Sequence, residues 1–312
     1  MGAGHDHGHD HGAGLRTAAA AHRGRLRTVL AITCAIMLVE VVGGLATGSL
    51  GLLADAGHMA ADALGVATAL LAVHLANKPA TARRTFGLAR AEVLAAVGNA
   101  LLLFVLAGVI LWQAVARFAA PPEVGAGPAA AFALLAVAGN SVSLMLLRRG
   151  QAESLNVRGA FLEVLSDALG AAAVVVSSAV IWATGWYRAD AVASVLIAVM
   201  ILPRTWKLLR RGLDVLLESV PEGVDITEVR RHLLEHPRVA DVHDLHAWTL
   251  TSGLPVLSAH VVVDDDEELG RAEHDRLLDE LQRCLGGHFD LDHSTLQLEP
   301  AGHADHEASR CG

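Results

Sequence analysis

The chain has 312 residues, of which 53% are hydrophobic and 18% charged, with a net charge of −9 and a mean hydropathy of +0.43. A composition this oily, concentrated in long runs, excludes a single water-soluble domain and points to a membrane protein. The negative excess is spread over the tail domain and the spans and forms no nucleic-acid footprint. Cys34, Cys284 and Cys311 lie in separate segments and form no CxxC pair, so no disulfide framework is expected.

The chain opens on MGAGHDHGHDHGAG, where His alternates with Asp and Gly. Such a segment cannot build a core, so residues 1–26 are expected to form a disordered leader. His5, His7, His9 and His11, with Asp6 and Asp10, read as a weak metal-catching tract that raises the local ion concentration. No cleavable signal is evident, because the first apolar run begins only after this polar stretch.

Six apolar runs then approach or exceed the roughly 20 residues that cross a bilayer. They are Thr28 to Thr47, Leu50 to Leu75, Glu92 to Val115, Pro128 to Leu147, Gly159 to Thr184 and Asp190 to Leu208. An unpaired backbone group in lipid costs several kcal/mol, and no alternating strands suggest a barrel, so each run is expected to be helical. Residues 27–208 are thereby predicted to be an all-α six-helix transmembrane bundle.

Charges in the short loops set the orientation. One side collects Arg16, Arg23, Arg25, Arg27, Lys78, Arg83, Arg84, Arg90, Arg148, Arg149, Arg158, Arg204, Lys207, Arg210 and Arg211, whereas the other has Arg117 and Arg188. Both termini are predicted to be cytoplasmic, in a multi-pass protein of the inner (plasma) membrane.

Residues 209–300 read as a soluble α+β domain. Val224 to His236 has helical spacing with Asp225 or Thr227 at its start. Val239 to Leu250 and Pro255 to Val263 read as strands joined by a hairpin turn at SGL, Glu268 to Leu285 as a helix, and Ser294 to Glu299 as a closing strand. This αββαβ order predicts one antiparallel sheet with helices on one face. The tail, 301–312, is polar and carries His303, His306 and Cys311.

A charge at the bilayer centre costs about 2.5–3.5 kcal/mol on insertion scales, so an intramembrane carboxylate is read first as functional. On the second span Asp55, His58 and Asp62 share one helix face at i, i+3 and i+7, and on the fifth span Glu163 and Asp167 are one turn apart. One imidazole with carboxylates suits Zn²⁺ or a neighbouring first-row metal, bound at about 2.0–2.2 Å. Asn99, Gln113 and Asn140 are read as interhelical hydrogen-bonding groups. Asp55 and Asp190 are placed toward the opposite end as entrance or supporting groups, and His74 as a structural residue at the interface.

These residues carry a family resemblance. VEVVGGLATGSLGLLADAGHMAADALG (Val39 to Gly65), RRTFGLARAEVLAA (Arg83 to Ala96), LNVRGAFLEVLSDALG (Leu155 to Gly170), WYRADAVASVLIA (Trp186 to Ala198) and VHDLHAWTL (Val242 to Leu250) occur in order. Together they resemble the cation diffusion facilitator family, in particular its bacterial cadmium, cobalt and zinc efflux branch. The resemblance implies a homodimer with a ferredoxin-like cytoplasmic domain that exchanges cytosolic metal for external protons by alternating access. The transported ion is expected to be Zn²⁺, with Cd²⁺, Co²⁺ and Mn²⁺ as alternatives, and no cofactor is implied.

Carried over by position, the transport ligands are His58, Asp62, Glu163 and Asp167. The family usually shows His where this chain has Glu163, so three carboxylates and one neutral His make a harder, more oxygen-rich shell. In the soluble domain the resemblance implies metal ligands at His243, His260, His274 and Glu299, although a further family ligand position holds Gln297; His246 lies on the same candidate strand. The competing readings are an intramembrane metalloenzyme, for which no HExxH motif is present, a membrane-anchored metal sensor, and a channel.

Overall fold

The computed structural model describes residues 11–148, 155–264, 270–291 and 293–303, with side chains described from residue 24 and, past the first gap, from residue 157. His5, His7, His9, His306 and Cys311 lie outside the described residues, as does the side chain of His11. Two compact units are present, one of residues 1–65 and 99–206 and a second of residues 66–98 and 207–312.

Six long helices carry the apolar runs: α1 (His11–Thr47), α2 (Leu50–Ala76), α3 (Ala91–Ala119), α4 (Ala126–Leu147), α5 (Leu155–Thr184) and α6 (Arg188–Leu216). Each is long and apolar enough to cross a membrane. Helix α1 reaches back to His11, so residues 11–26 correct the expectation of a wholly disordered leader. The four successive alanines of LRTAAAAH, with Leu15 and Arg16, are strong helix formers and favour this extension.

In the first unit, Leu52, Ala54 and Ala61 of α2 pack with Leu103, Ala107 and Ile110 of α3, Ala129 and Ala133 of α4, Val174 and Ile181 of α5, and Ile197 and Ile201 of α6. Small residues allow this approach: a Cβ on Gly43 would lie 2.5 Å from the Phe132 ring, and one on Gly139 would lie 2.8 Å from Ile36 Cδ1. Leu45, Val105, Trp112, Val115, Met145, Val176 and Trp182 are each more than half exposed. An apolar outer face on an apolar-cored bundle is expected of helices that meet lipid.

The second unit contains α7 (Ile226–Leu234), β1 (Val239–Thr251), β2 (Leu254–Val263), α8 (Arg271–Phe289) and β3 (His293–Pro300), in the order αββαβ. The Asp225 side chain caps α7 by accepting from Thr227 N at 2.9 Å and Glu228 N at 3.4 Å, a contribution of about 1 kcal/mol. Gly253, at φ +74°, makes the β1–β2 turn.

The sheet is mixed, which corrects the antiparallel expectation. Strands β1 and β2 are antiparallel, whereas β3 runs parallel to β2. The physical reason is the connection: α8 forms a crossover between β2 and β3, and a helical crossover returns the chain in the same direction. Both helices bury one stripe against the sheet, through Val229 and Leu233 of α7 and Leu277, Leu281 and Leu285 of α8.

The second unit also takes in residues 66–98, which the sequence assigns to the transmembrane domain. Polar contacts within the unit explain this. Thr251 and Ser252 donate to the two Glu92 carboxylate oxygens, each at 3.0 Å, and Arg90 pairs with Glu218 at 2.7 Å.

Candidate metal centres

In the first unit, α2 and α5 bring together His58, Asp62 and Glu163, one ligand atom from each lying within 4.8 Å of the others. His58 Nε2 is 3.5 Å from Asp62 Oδ2, as the i, i+4 spacing on α2 requires. His58 Nδ1 and Glu163 Oε1 are buried and meet no hydrogen-bond partner among the described residues. Unpartnered polar atoms beside a dense set of ligands are the arrangement a cation satisfies. Asp167 is also buried, one turn further along α5, but lies outside this cluster of three.

The sequence reading missed Arg204. The residue lies inside the sixth apolar run but reads there as an orientation charge, whereas in α6 the Arg204 guanidinium forms an ion pair with Glu163 Oε2. If Asp167 is counted with Asp62 and Glu163, three ionised carboxylates and a neutral imidazole carry three negative charges, and Arg204 cancels one. With a divalent ion added, the group becomes formally neutral, as a site with two His and two carboxylates would be without the arginine. Arg204 thus compensates electrostatically for the carboxylate at position 163.

Glu40 was also missed, although a single carboxylate in the apolar run of α1 was itself a signal. It is fully buried, and neither oxygen meets a hydrogen-bond partner among the described residues. Its carboxyl group faces that of Asp55, which is likewise buried. Asp55 sits close against α5, where a Cβ on Gly170 would lie 2.8 Å from Asp55 Oδ1.

Asp190 has a supporting role. Its Oδ2 accepts from Leu50 N at 2.7 Å, and its Oδ1 accepts from Ser49 Oγ at 2.5 Å and Gly51 N at 3.3 Å. Arg117 holds this carboxylate from the other side at 3.6 Å and donates to Gly48 O at 2.6 Å. An anion on the N–H groups of the first turn, which have no partner within the helix, anchors α2, and with it His58 and Asp62. Asn140, read as an interhelical hydrogen-bonding group, is fully buried, and neither amide atom meets a partner among the described residues. His74 is exposed at the end of α2.

In the second unit, His243, His260 and Glu299 converge to within 4.8 Å. The register brings this about: His243 faces His260 across β1 and β2, and Glu299 of the parallel β3 lies beside Val262. Glu299 Oε1 pairs with His243 Nε2, and Oε2 lies 3.4 Å from His260 Nδ1. Gln297 donates to Oε2 at 3.2 Å. Burial would push the Glu299 carboxyl up, but the His243 and Gln297 hydrogen bonds and the neighbouring imidazoles outweigh it and hold the group below the usual range. His274 falls outside this cluster and has its Nδ1 3.8 Å from Asp275 Oδ1. His246 also lies outside it, 3.0 Å from Asp244 Oδ1, because the strand bulges between His243 and His246.

Six helices able to span a membrane, with carboxylates and an imidazole gathered between two of them, are those of a multi-pass membrane protein. The family model described as the cation efflux transmembrane domain matches residues 26–217, and that for the cation efflux protein cytoplasmic domain matches residues 221–301. The chain belongs to the cation efflux family, the cation diffusion facilitators. It is 43% identical to the metal cation efflux system protein CzcD of Cupriavidus metallidurans, over 96% of this chain and 91% of that protein. It is 41% identical to the zinc transporter ZitB of Escherichia coli, over 88% and 87% respectively. It is 37% identical to the cadmium, cobalt and zinc/H(+)-K(+) antiporter of Bacillus velezensis, over 86% and 85%. These relatives are transporters, and the chain is read as a transporter and not an enzyme.

Proposed function

We propose that this protein exports a divalent cation of the zinc group from the cytoplasm in exchange for protons. The observation that carries the reading is the convergence of His58, Asp62 and Glu163 between two membrane-spanning helices. Asp167 supplies the fourth donor from the next turn of α5. A shell of one imidazole and three carboxylates is hard enough to admit Co²⁺, Cd²⁺ and Mn²⁺ beside Zn²⁺.

Exchange follows from the cost of burying charge. When the metal leaves, the carboxylates at the site lose their counter-ion, and an uncompensated buried carboxylate is expensive. Protons restore neutrality at the same oxygen and nitrogen atoms, so the two cargoes compete for one set of lone pairs. Arg204 limits the charge that must be replaced. Rearrangement of α5 and α2 would open the site to alternate faces, and Asp190, by anchoring the start of α2, would give that motion a fixed end.

The protein is proposed to act as a homodimer in the inner membrane with both termini cytoplasmic. The match of residues 221–301 to a dimerisation domain family and the asymmetry of Arg and Lys across the short loops support this. The His243, His260 and Glu299 cluster would then sample cytoplasmic metal.

Zinc uptake into proteoliposomes holding a zinc-sensitive dye, driven by an imposed pH gradient, tests the reading. His58→Ala, Asp62→Ala and Asp167→Ala are each expected to abolish uptake while leaving the protein folded and reconstituted. Undiminished uptake in all three variants would overturn the site assignment.

A further inference from the structure

A third set of ligands lies between α7 and α8, away from the His243, His260 and Glu299 cluster. His232 of α7 and Cys284 and His288 of α8 bring one ligand atom each within 4.8 Å of the others. Cys284 and His288 stand at i, i+4 and share a helix face, with Sγ 3.9 Å from His288 Nδ1. His288 Nδ1 is in turn 2.8 Å from His232 Nε2. A tetrahedral ion with bonds of about 2.0–2.3 Å separates its ligand atoms by roughly 3.3–3.8 Å, and both distances made by His288 Nδ1 fall within about half an ångström of that range.

The surroundings are also those of a metal site. His232 Nδ1 is 3.4 Å from Glu235 Oε2. A carboxylate on one imidazole nitrogen fixes the tautomer and leaves the lone pair on the other, here Nε2, directed at Cys284 and His288. The His232 ring stands edge-on to His288 and Phe289, with centroids 4.6 Å and 5.6 Å away, which restrains its rotation. We infer that His232, Cys284 and His288 form a further binding site for a soft divalent cation such as Zn²⁺ or Cd²⁺, which clamps α7 to α8.

One thiolate and two imidazoles favour zinc-group ions over Mn²⁺ or Mg²⁺, a different selectivity from that of the oxygen-rich membrane site. Three protein ligands leave a fourth position to water.

Co²⁺ titration of the full-length protein in detergent tests this, because a thiolate bound to Co²⁺ gives a near-ultraviolet charge-transfer absorption. Neither the membrane site nor the His243 cluster contains sulfur, so the band reports on this site alone and stands or falls separately from transport. In a C34S/C311S background, whose one remaining cysteine is Cys284, the band should saturate at one Co²⁺ per chain. Cys284→Ser should abolish it, and His232→Ala or His288→Ala should weaken Co²⁺ binding about 10- to 100-fold. Zn²⁺ should also protect Cys284 from alkylation in this background, a readout that needs no ligand variant. Absence of the band, its persistence at unchanged affinity in both His variants, or alkylation indifferent to Zn²⁺ would each overturn the inference.

Discussion

Replacing Arg204 with Gln probes the electrostatics of the membrane site. In the structure the guanidinium is paired with Glu163 Oε2, so an arriving cation must both displace it and approach its positive charge. Two unit charges 4 Å apart interact by about 4 kcal/mol at an effective dielectric of 20. The Arg204 side chain is 63% exposed, and solvent and salt screen such a pair to about 1–2 kcal/mol. At about 1.4 kcal/mol per tenfold change, Arg204→Gln should bind Zn²⁺ roughly 5- to 30-fold more tightly and release it correspondingly more slowly. Competition with a fluorescent chelator on purified protein measures the first effect, and turnover at saturating zinc measures the second. The double variant E163H/R204Q, which restores formal neutrality with metal bound, should recover turnover. Weaker or unchanged zinc affinity in Arg204→Gln would refute the idea that this arginine balances Glu163.

Three further outcomes follow from contacts elsewhere. Asp190→Asn keeps the shape of the α2 anchor but removes its charge, and should cost about 1 kcal/mol of stability, with lower zinc affinity, measured by thermal unfolding in detergent and metal titration. Gly170→Ala drives a methyl group onto the Asp55 carboxylate, and should lower stability by about 1–3 kcal/mol in the same unfolding assay. Glu299 has a folded-state value below its ordinary 4.5, so its contribution to stability is present above pH 4.5 and is lost as pH falls through the lowered value. Metal-free protein should therefore lose stability of the second unit on acidification below that point, and Glu299→Gln should flatten the loss.

The spans were legible because roughly twenty consecutive apolar residues have few alternatives, and the αββαβ order was legible because its periods change cleanly from 3.6 to 2. The direction of β3 was misread, although the length of chain between Val263 and His293, with a helix in it, already marks a crossover. His58, Asp62 and Glu163 were found through i, i+4 spacing on two helices. Arg204 was not, because an arginine near the end of a span reads as an orientation charge and its partner, Glu163, comes from another helix. Cys284 and His288 also show the i, i+4 pattern, but their third ligand, His232, comes from another element and is supplied only by the packing of α7 on α8. The third and fourth positions of the expected soluble site parted for a similar reason: β-strand register unites His243, His260 and Glu299, and nothing in that register reaches His274.

The central claim is that metal and protons exchange at one site, and simultaneous measurement of both ions tests it most directly. Proteoliposomes carrying a zinc dye and a pH dye, with no imposed pH gradient, should show luminal alkalinisation in step with zinc entry as protons leave. Both signals should vanish together in Asp62→Ala and in Asp167→Ala. Zinc entry without any movement of luminal pH would contradict the account.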